Sequence, residues 1–162
     1  TTDCGYTDRI DAEYDILKIA VIERHKDTHH IGLGFIRGYG LKKGAVATSI
    51  SHDSHNIIVV GTDEADMAFA ANRVVALNGG IVVAEGGSVS AEVPLAVAGI
   101  MSDEPLVEVN RKLEEAKEKA FAAGVNRDID PFMTLSFMAL PVIPTLRITT
   151  RGVFDVTTQR YI

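Results

Sequence analysis

The chain has 162 residues, 46% of them hydrophobic and 23% charged, which suits one domain with a buried core and excludes a low-complexity protein. Its 16 lysines and arginines face 22 aspartates and glutamates, and the net charge of −6 excludes the basic footprint of a nucleic-acid-binding protein. A single cysteine, Cys4, and the lack of a long apolar run lead us to expect a cytoplasmic protein that does not bind a membrane.

Four segments in the first 61 residues have the composition of β-strands. DILKIAVIERH (15–25) is rich in β-branched residues and ends in charge. IGLGFIRGYGLKKG (31–44) predicts one or two short strands with glycine bends. GAVATSI (44–50) and NIIVVG (56–61) are continuously apolar, which predicts strands covered on both faces.

Two helices are predicted after these strands. Thr62 is expected to cap the first helix, and Ser102 the second, because acidic residues follow each of them in a first turn. Apolar residues then recur at helical spacing and predict the buried faces: Met67, Ala70, Ala71, Val74 and Leu77 in the first helix, and Leu106, Val109, Leu113, Ala116 and Ala120 in the second.

The remaining segments predict two hairpins and leave two stretches undecided. IVVAEGGSVSAEVPL (81–95) and LRITTRGVFDV (146–156) are the hairpins. AVAGIM (96–101) is ambiguous, and the first part of FMTLSFMALPVIP (132–144) suits a strand or a short helix. Together the segments predict an α+β or α/β domain, with a mixed β-sheet and two main helices.

Most common catalytic motifs are absent from the sequence. It has no P-loop, no GxGxxG between a strand and a helix, no GxSxG, and neither HxH nor HExxH. Five histidines are too few for a complete dinuclear metal site, so we expect no metal ligands in this chain. His29 and His30 are expected to be solvated.

SHDSHN (51–56) is the densest polar cluster, and it lies between two predicted buried strands. A rigid sheet can aim His52 and His55 into a cleft, with Asp53 orienting one imidazole and fixing its tautomer. The group would then serve as a general acid or base or bind a polar heterocycle. Alternatively, Asp53, Ser54 and Asn56 only satisfy backbone groups in a tight turn, and the histidines are partly exposed.

Three strings add information that spacing does not: GYGLKKGAVATSISHDSHNIIVVGT (38–62), PLAVAGIMSDEP (94–105) and DPFMTLSFMALPVIP (130–144). In this order they resemble the carboxyl-terminal domain of bacterial and archaeal adenine deaminases, members of the amidohydrolase superfamily. The resemblance runs from about residue 19 to the end. It divides the chain into residues 1–18, an N-terminal arm or the region of an artificial or proteolytic boundary, and the domain itself, residues 19–162.

The resemblance implies a fragment of an enzyme that hydrolyses adenine to hypoxanthine and ammonia. In that family a hydroxide that bridges two manganese or iron ions attacks the purine. The family's metal ligands lie in a preceding β/α barrel with an HxH motif, and this barrel is absent from the 162 residues. The resemblance therefore implies a chain that is inactive by itself, that packs against the barrel domain of the same enzyme, and whose parent binds adenine and forms a homo-oligomer.

Given this resemblance, we expect the SHDSHN corner to face the mouth of the barrel. Supporting catalytic roles are expected for His52, Asp53 and His55, and substrate-binding or pocket-shaping roles for Ser51, Ser54 and Asn56. Two alternatives stay open: a module that only packs, stabilises or oligomerises the enzyme, and a free-standing domain that binds an unrelated small ligand. Exposure of AVAGIM and FMALPVIP would favour a fragment.

Overall fold

The computed structural model describes residues 9–162, and its centre is a six-stranded sheet. The strand order is β2-β1-β4-β3-β5-β6, and each neighbouring pair is antiparallel. The strands are β1 (Ile16–Ile22), β2 (Ile31–Arg37), β3 (Ala45–Thr48), β4 (Ile57–Gly61), β5 (Gly80–Glu85) and β6 (Ser88–Pro94). The predicted strands and the first hairpin are confirmed.

Helices cover both faces of the sheet, which confirms the predicted combination of sheet and helices. Helix α1 (Glu64–Ala76) packs on β3, β4 and β5 from one side. On the other side lie α2 (Leu106–Ala122), α3 (Pro131–Met138) and a small sheet of β7 (Leu146–Thr149), β8 (Gly152–Asp155) and β9 (Arg160–Tyr161). Every residue of β3 and β4 is buried, as their continuous apolar composition predicts.

The segment whose sequence suited a strand or a short helix forms the short helix α3. Pro131 occupies the first helical turn, where a missing N–H costs no hydrogen bond. The Asp130 carboxylate accepts hydrogen bonds from the backbone N–H groups of Phe132 at 3.0 Å and Met133 at 2.9 Å. This N-cap gives partners to two backbone N–H groups of the first turn and so stabilises the start of an eight-residue helix.

Both predicted helix caps are wrong. The N-cap of α1 is Asp63, whose carboxylate accepts from the Asp66 N–H at 2.9 Å, whereas the Thr62 hydroxyl donates to the carbonyl of Gly44. Helix α2 begins at Leu106, four residues after the predicted cap Ser102. Leu106 is 82% exposed and does not belong to the buried face that was predicted for it.

One end of the central sheet gathers the connections that follow β1, β3 and β6. The antiparallel register brings Ile22 opposite both Ile31 and Ile57, and Thr48 opposite Ile81, so these three connections emerge side by side. They span residues 23–30, 49–56 and 95–105, and together we call them the histidine end. All five histidines of the chain lie there: His25, His29, His30, His52 and His55.

Of the predicted arm at residues 1–18, the first eight residues, which include Cys4, lie outside the described part of the chain. No helix in residues 9–162 is long and apolar enough to cross a membrane.

Candidate functional site

The SHDSHN corner joins β3 to β4, and both of its ends are anchored in the fold. Ser51 is fully buried, and its carbonyl accepts a 2.6 Å hydrogen bond from the His55 N–H. The His52 N–H donates to the carbonyl of Ser136 in α3 at 3.1 Å. Asn56 is also buried, and its side-chain carbonyl accepts from the Arg24 N–H at 3.3 Å. Neighbouring elements therefore fix the path of the corner.

The two imidazoles of the corner lie against each other and against an aromatic ring. The His52 ring stacks on Phe137 of α3, with centroids 5.4 Å apart and an interplanar angle of 25°. The His55 ring stands edge-on to His52 at 5.7 Å. His55 has a left-handed backbone, with φ at +50°, a conformation that is uncommon outside turns for residues other than glycine.

Asp53 does not hydrogen-bond to an imidazole. Its carboxylate lies 3.8 Å from Nδ1 of His52, beyond hydrogen-bond distance, and its side chain is largely exposed. Ser54 instead takes part in local contacts: its hydroxyl accepts from the Asn56 amide at 3.1 Å, and its carbonyl lies 2.7 Å from Nε2 of His25. Part of the cluster thus satisfies its own turn.

A concavity of about 270 Å³ opens beside the corner. One side is polar and comes from the corner itself. The other side comes from the segment after α3 and from the β7–β8 hairpin. The lining residues that decide its character are His52, Asp53, Ser54, Asn56, Pro141 and Val142. Small-molecule sites combine an apolar wall with a few convergent polar groups in this way.

The electrostatics of the corner favour a neutral His55. Burial lowers the pKa of His55, and the charges of His52 and Arg24 lower it further, against the opposite effect of Asp53. Nδ1 of His55 and Oγ of Ser51 are buried and have no hydrogen-bond partner among residues 9–162. Buried polar atoms of this kind bind water or ligands in folded proteins.

Sequence reasoning missed two residues of the site, Arg24 and Phe137. Arg24 follows β1 and reaches the corner, with Nε 2.5 Å from the carbonyl of His55. Phe137 belongs to the segment whose secondary structure was undecided. Knowledge that β1 pairs antiparallel with β4, the strand that follows the corner, would have placed Arg24 there.

The other sequence candidates are settled more simply. His29 and His30 are exposed, as predicted. Within residues 9–162, no group of three or more histidine, cysteine, aspartate or glutamate side chains is arranged to hold a metal ion. The strings AVAGIM and FMALPVIP expose large apolar side chains, among them Met101 and Val142, and the adjoining Leu106 and Val107 are more exposed still.

Known proteins similar to this chain identify the family. The family described as "Adenine deaminase C-terminal domain" matches residues 2–160. The adenine deaminase of Desulfatibacillum aliphaticivorans is 55% identical over 142 residues, which cover 88% of this chain and 25% of that protein. Those of Bacillus licheniformis and Bacillus subtilis are 49% and 47% identical over 152 residues, covering 94% of this chain and 26% of each relative. The chain spans about a quarter of the length of these curated relatives, and it belongs to the adenine deaminase C-terminal domain family.

Proposed function

We propose that this chain is the C-terminal part of an adenine deaminase that hydrolyses adenine to hypoxanthine and ammonia. Identity of about one half to proteins with that name supports the activity. The relatives are about four times as long as the matched region, which leaves room for a separate catalytic barrel. In this proposal the barrel carries the manganese or iron ions, because the described residues of this chain do not fit a metal site.

The role of this domain, in the same proposal, is to close the barrel active site with the SHDSHN corner. The observation that carries it is the concavity beside His52, which sets polar groups opposite the apolar wall of Pro141 and Val142. A purine has flat apolar faces and a rim of ring nitrogens, and such a concavity suits both. His52, which stacks on Phe137, is one of the residues that line the concavity.

Neutral His55 supplies the second element of the proposed role. An imidazole that stays uncharged both donates and accepts hydrogen bonds, so it orders water or contacts purine nitrogens without repelling the guanidinium of Arg24. Asp53 contributes negative charge at the rim, and Ser51, Ser54 and Asn56 shape the corner. The chemistry at the purine carbon belongs to the barrel.

The apolar residues of the histidine end support docking on a barrel. Val97 and Met101 are exposed at this end, and Val142 is exposed beside the concavity. Soluble domains rarely leave so many large apolar side chains bare unless another surface covers them. An enclosing barrel would cover them and exclude water from the corner.

Kinetics of the full-length enzyme test the proposed role. We expect His52→Ala and His55→Ala to lower kcat/KM for adenine by at least about tenfold each, the scale of one lost polar contact or proton-transfer group. His29→Ala and His30→Ala, two exposed histidines of the same end, are the matched controls and should leave kcat/KM unchanged. Unchanged turnover and affinity in both corner variants would make the SHDSHN segment a structural turn.

A packing or oligomerisation module is the second candidate function. The exposure of Leu106 and Val107, 82% and 78%, favours it, because neither residue belongs to the concavity. A module of this kind would also place the chain inside a homo-oligomer. Under this alternative, substitutions at Leu106 and Val107 change assembly, while His52→Ala leaves the kinetics of the assembled enzyme intact.

A further inference from the structure

We propose that Arg24 is a positioning residue, which holds the backbone of His55 and the Ala98–Gly99 loop together so that the corner keeps a fixed orientation. This inference rests on the proposed role of the corner in the deaminase. It adds a residue outside the SHDSHN segment, and it links that segment to the apolar loop of the same end.

The guanidinium of Arg24 bridges two separate connections of the sheet. Its Nε donates to the carbonyl of His55 at 2.5 Å, and its Nη2 donates to the carbonyl of Ala98 at 2.6 Å. The backbone N–H of Arg24 adds a 3.3 Å bond to the side chain of Asn56. A planar fork with fixed donor directions suits two carbonyls better than a single ammonium does.

Both carbonyls belong to residues with strained backbones. His55 and Ala98 have φ values of +50° and +56°, and a left-handed conformation is unfavourable for an alanine, which has no side-chain group to compensate. Such residues persist only where their surroundings determine them. Arg24 is the shared hydrogen-bond donor to the two, so it is placed to maintain both conformations.

Gly99 adapts the loop to this contact. Gly99 has φ at +75°, and a Cβ atom there would overlap with Nη1 of Arg24 and lie 2.6 Å from Nη2, so another residue would be strained and would displace the guanidinium. The carbonyl of Gly99 also accepts from the Ser49 hydroxyl at 2.5 Å, and that hydroxyl accepts from the Gly80 N–H at 2.8 Å. The loop is therefore tied to the sheet on one side and to the corner, through Arg24, on the other.

Variants of the 162-residue chain test the inference by amide exchange. The reporters are the His55 N–H, which donates to Ser51 at 2.6 Å, and the Met101 N–H, which donates to Val97 at 3.1 Å. We expect Arg24→Gln to speed exchange at both reporters by about tenfold or more relative to Val59 in β4, a measure of global opening. Arg37→Gln, an exposed arginine on β2, is the matched control and should change neither reporter.

The conservative variant Arg24→Lys separates the effect of the positive charge at residue 24 from the effect of the two hydrogen bonds that its guanidinium makes. The charged groups that act on His55 are His52, Arg24, Asp53 and His25. We expect Arg24→Gln to raise the pKa of His55, measured by NMR titration of its ring, because a positive charge is lost. Arg24→Lys should keep that pKa low yet still speed exchange at His55 and Met101, since one ammonium does not span both carbonyls.

If Arg24→Gln proves unstable, the exchange rates of Arg24→Lys decide the test, and Ala98→Gly adds an independent one. Ala98→Gly removes the backbone strain at one carbonyl, so the effect of Arg24→Gln on Met101 exchange should be smaller in that background. Equal effects in both backgrounds, or reporters that change no more than Val59, would overturn the inference. These readouts need no adenine. A negative result would therefore count against the role of Arg24 alone, whereas the kinetics of the His52 and His55 variants test the deaminase role.

Discussion

At the scale of single residues, the five histidines separate into two groups by environment. His29 and His30 are solvated, whereas His52 and His55 lie against each other and against Phe137. The sequence cluster SHDSHN predicted that His52 and His55 share a corner. It could not predict the partners, because Arg24 precedes His55 by 31 residues and Phe137 belongs to helix α3, and only the tertiary fold brings them to the corner.

The pKa of His55 leads to a prediction for stability. Because folding lowers this pKa below the unfolded value of about 6.5, the unfolded chain binds more protons in the window just below that value. His55 therefore makes the folded state less stable as the pH falls through this window, and the full stability returns above it.

We expect His55→Asn, which tolerates the left-handed backbone, to flatten the loss of unfolding free energy between about pH 7 and pH 5. Urea unfolding at several pH values measures this slope. His29→Asn is the matched control, because His29 has φ at +57° but is exposed, and it should keep the slope of the parent. A parental slope in His55→Asn would contradict the assignment.

The turn interpretation of the cluster also accounts for some of its residues. Asn56 and Ser54 bond to each other, and Asp53 lies too far from His52 for a hydrogen bond. Composition does not distinguish a turn that satisfies itself from a site, since both use the same residue types. The proposal of a site therefore rests on the tertiary environment of the imidazoles, His52 against Phe137 and His55 against His52.

At the scale of elements, strands were easier to predict than helix starts. Continuous burial of β3 and β4 follows directly from their apolar composition. The start of α2 was misplaced because Ser102 and Asp103 mimic a cap, whereas Pro105 is the N-cap and the Val97–Met101 pair closes a tight turn just before this segment. Local helix signals yield to such contacts.

The β7–β8 hairpin depends on glycine in β2, which gives a second prediction. A Cβ at Gly32 would overlap with the carbonyl oxygen of Thr149 and approach the Gly152 nitrogen to 2.6 Å. Both are backbone atoms and cannot move alone. We therefore expect Gly32→Ala to cost about 1–3 kcal/mol of unfolding free energy, the usual cost of overpacking.

Chemical denaturation measures this cost, with Gly34→Ala as the control in the same strand. A Cβ at Gly34 would meet only the flexible ends of Val153 and Ile148, at 3.1 and 3.2 Å, so its effect should be clearly smaller. Equal stability of the two variants would show that the hairpin does not lie close to β2.

At the scale of the whole molecule, two of the places where residues 9–162 expose apolar side chains are the histidine end and β2. The histidine end exposes Val97 and Met101, and Leu106 is exposed just after it. The outer face of β2 exposes Ile31, Leu33 and Phe35, beyond the reach of α1. Sequence periodicity identifies apolar residues but not which of them remain uncovered, because coverage depends on where the helices end.

The start of α2 provides a test of domain docking. Leu106→Glu combined with Val107→Glu should change the unfolding free energy of the 162-residue chain by less than about 0.5 kcal/mol per site, because both side chains are exposed. In the full-length enzyme the same pair should lower the melting temperature of this domain or alter the assembly. Calorimetry measures the melting temperature and light scattering the assembly. If neither changes in the full-length enzyme, the surface at Leu106 and Val107 is not covered.

The structure of the full-length enzyme with an adenine-competitive ligand bound tests the account most directly. The proposed role predicts that the ring of His52 or His55 lies within hydrogen-bond reach of the purine, about 3 Å, or within the reach of one bridging water. Both rings turned into solvent, with the concavity beside Pro141 and Val142 facing away from the bound purine, would contradict it.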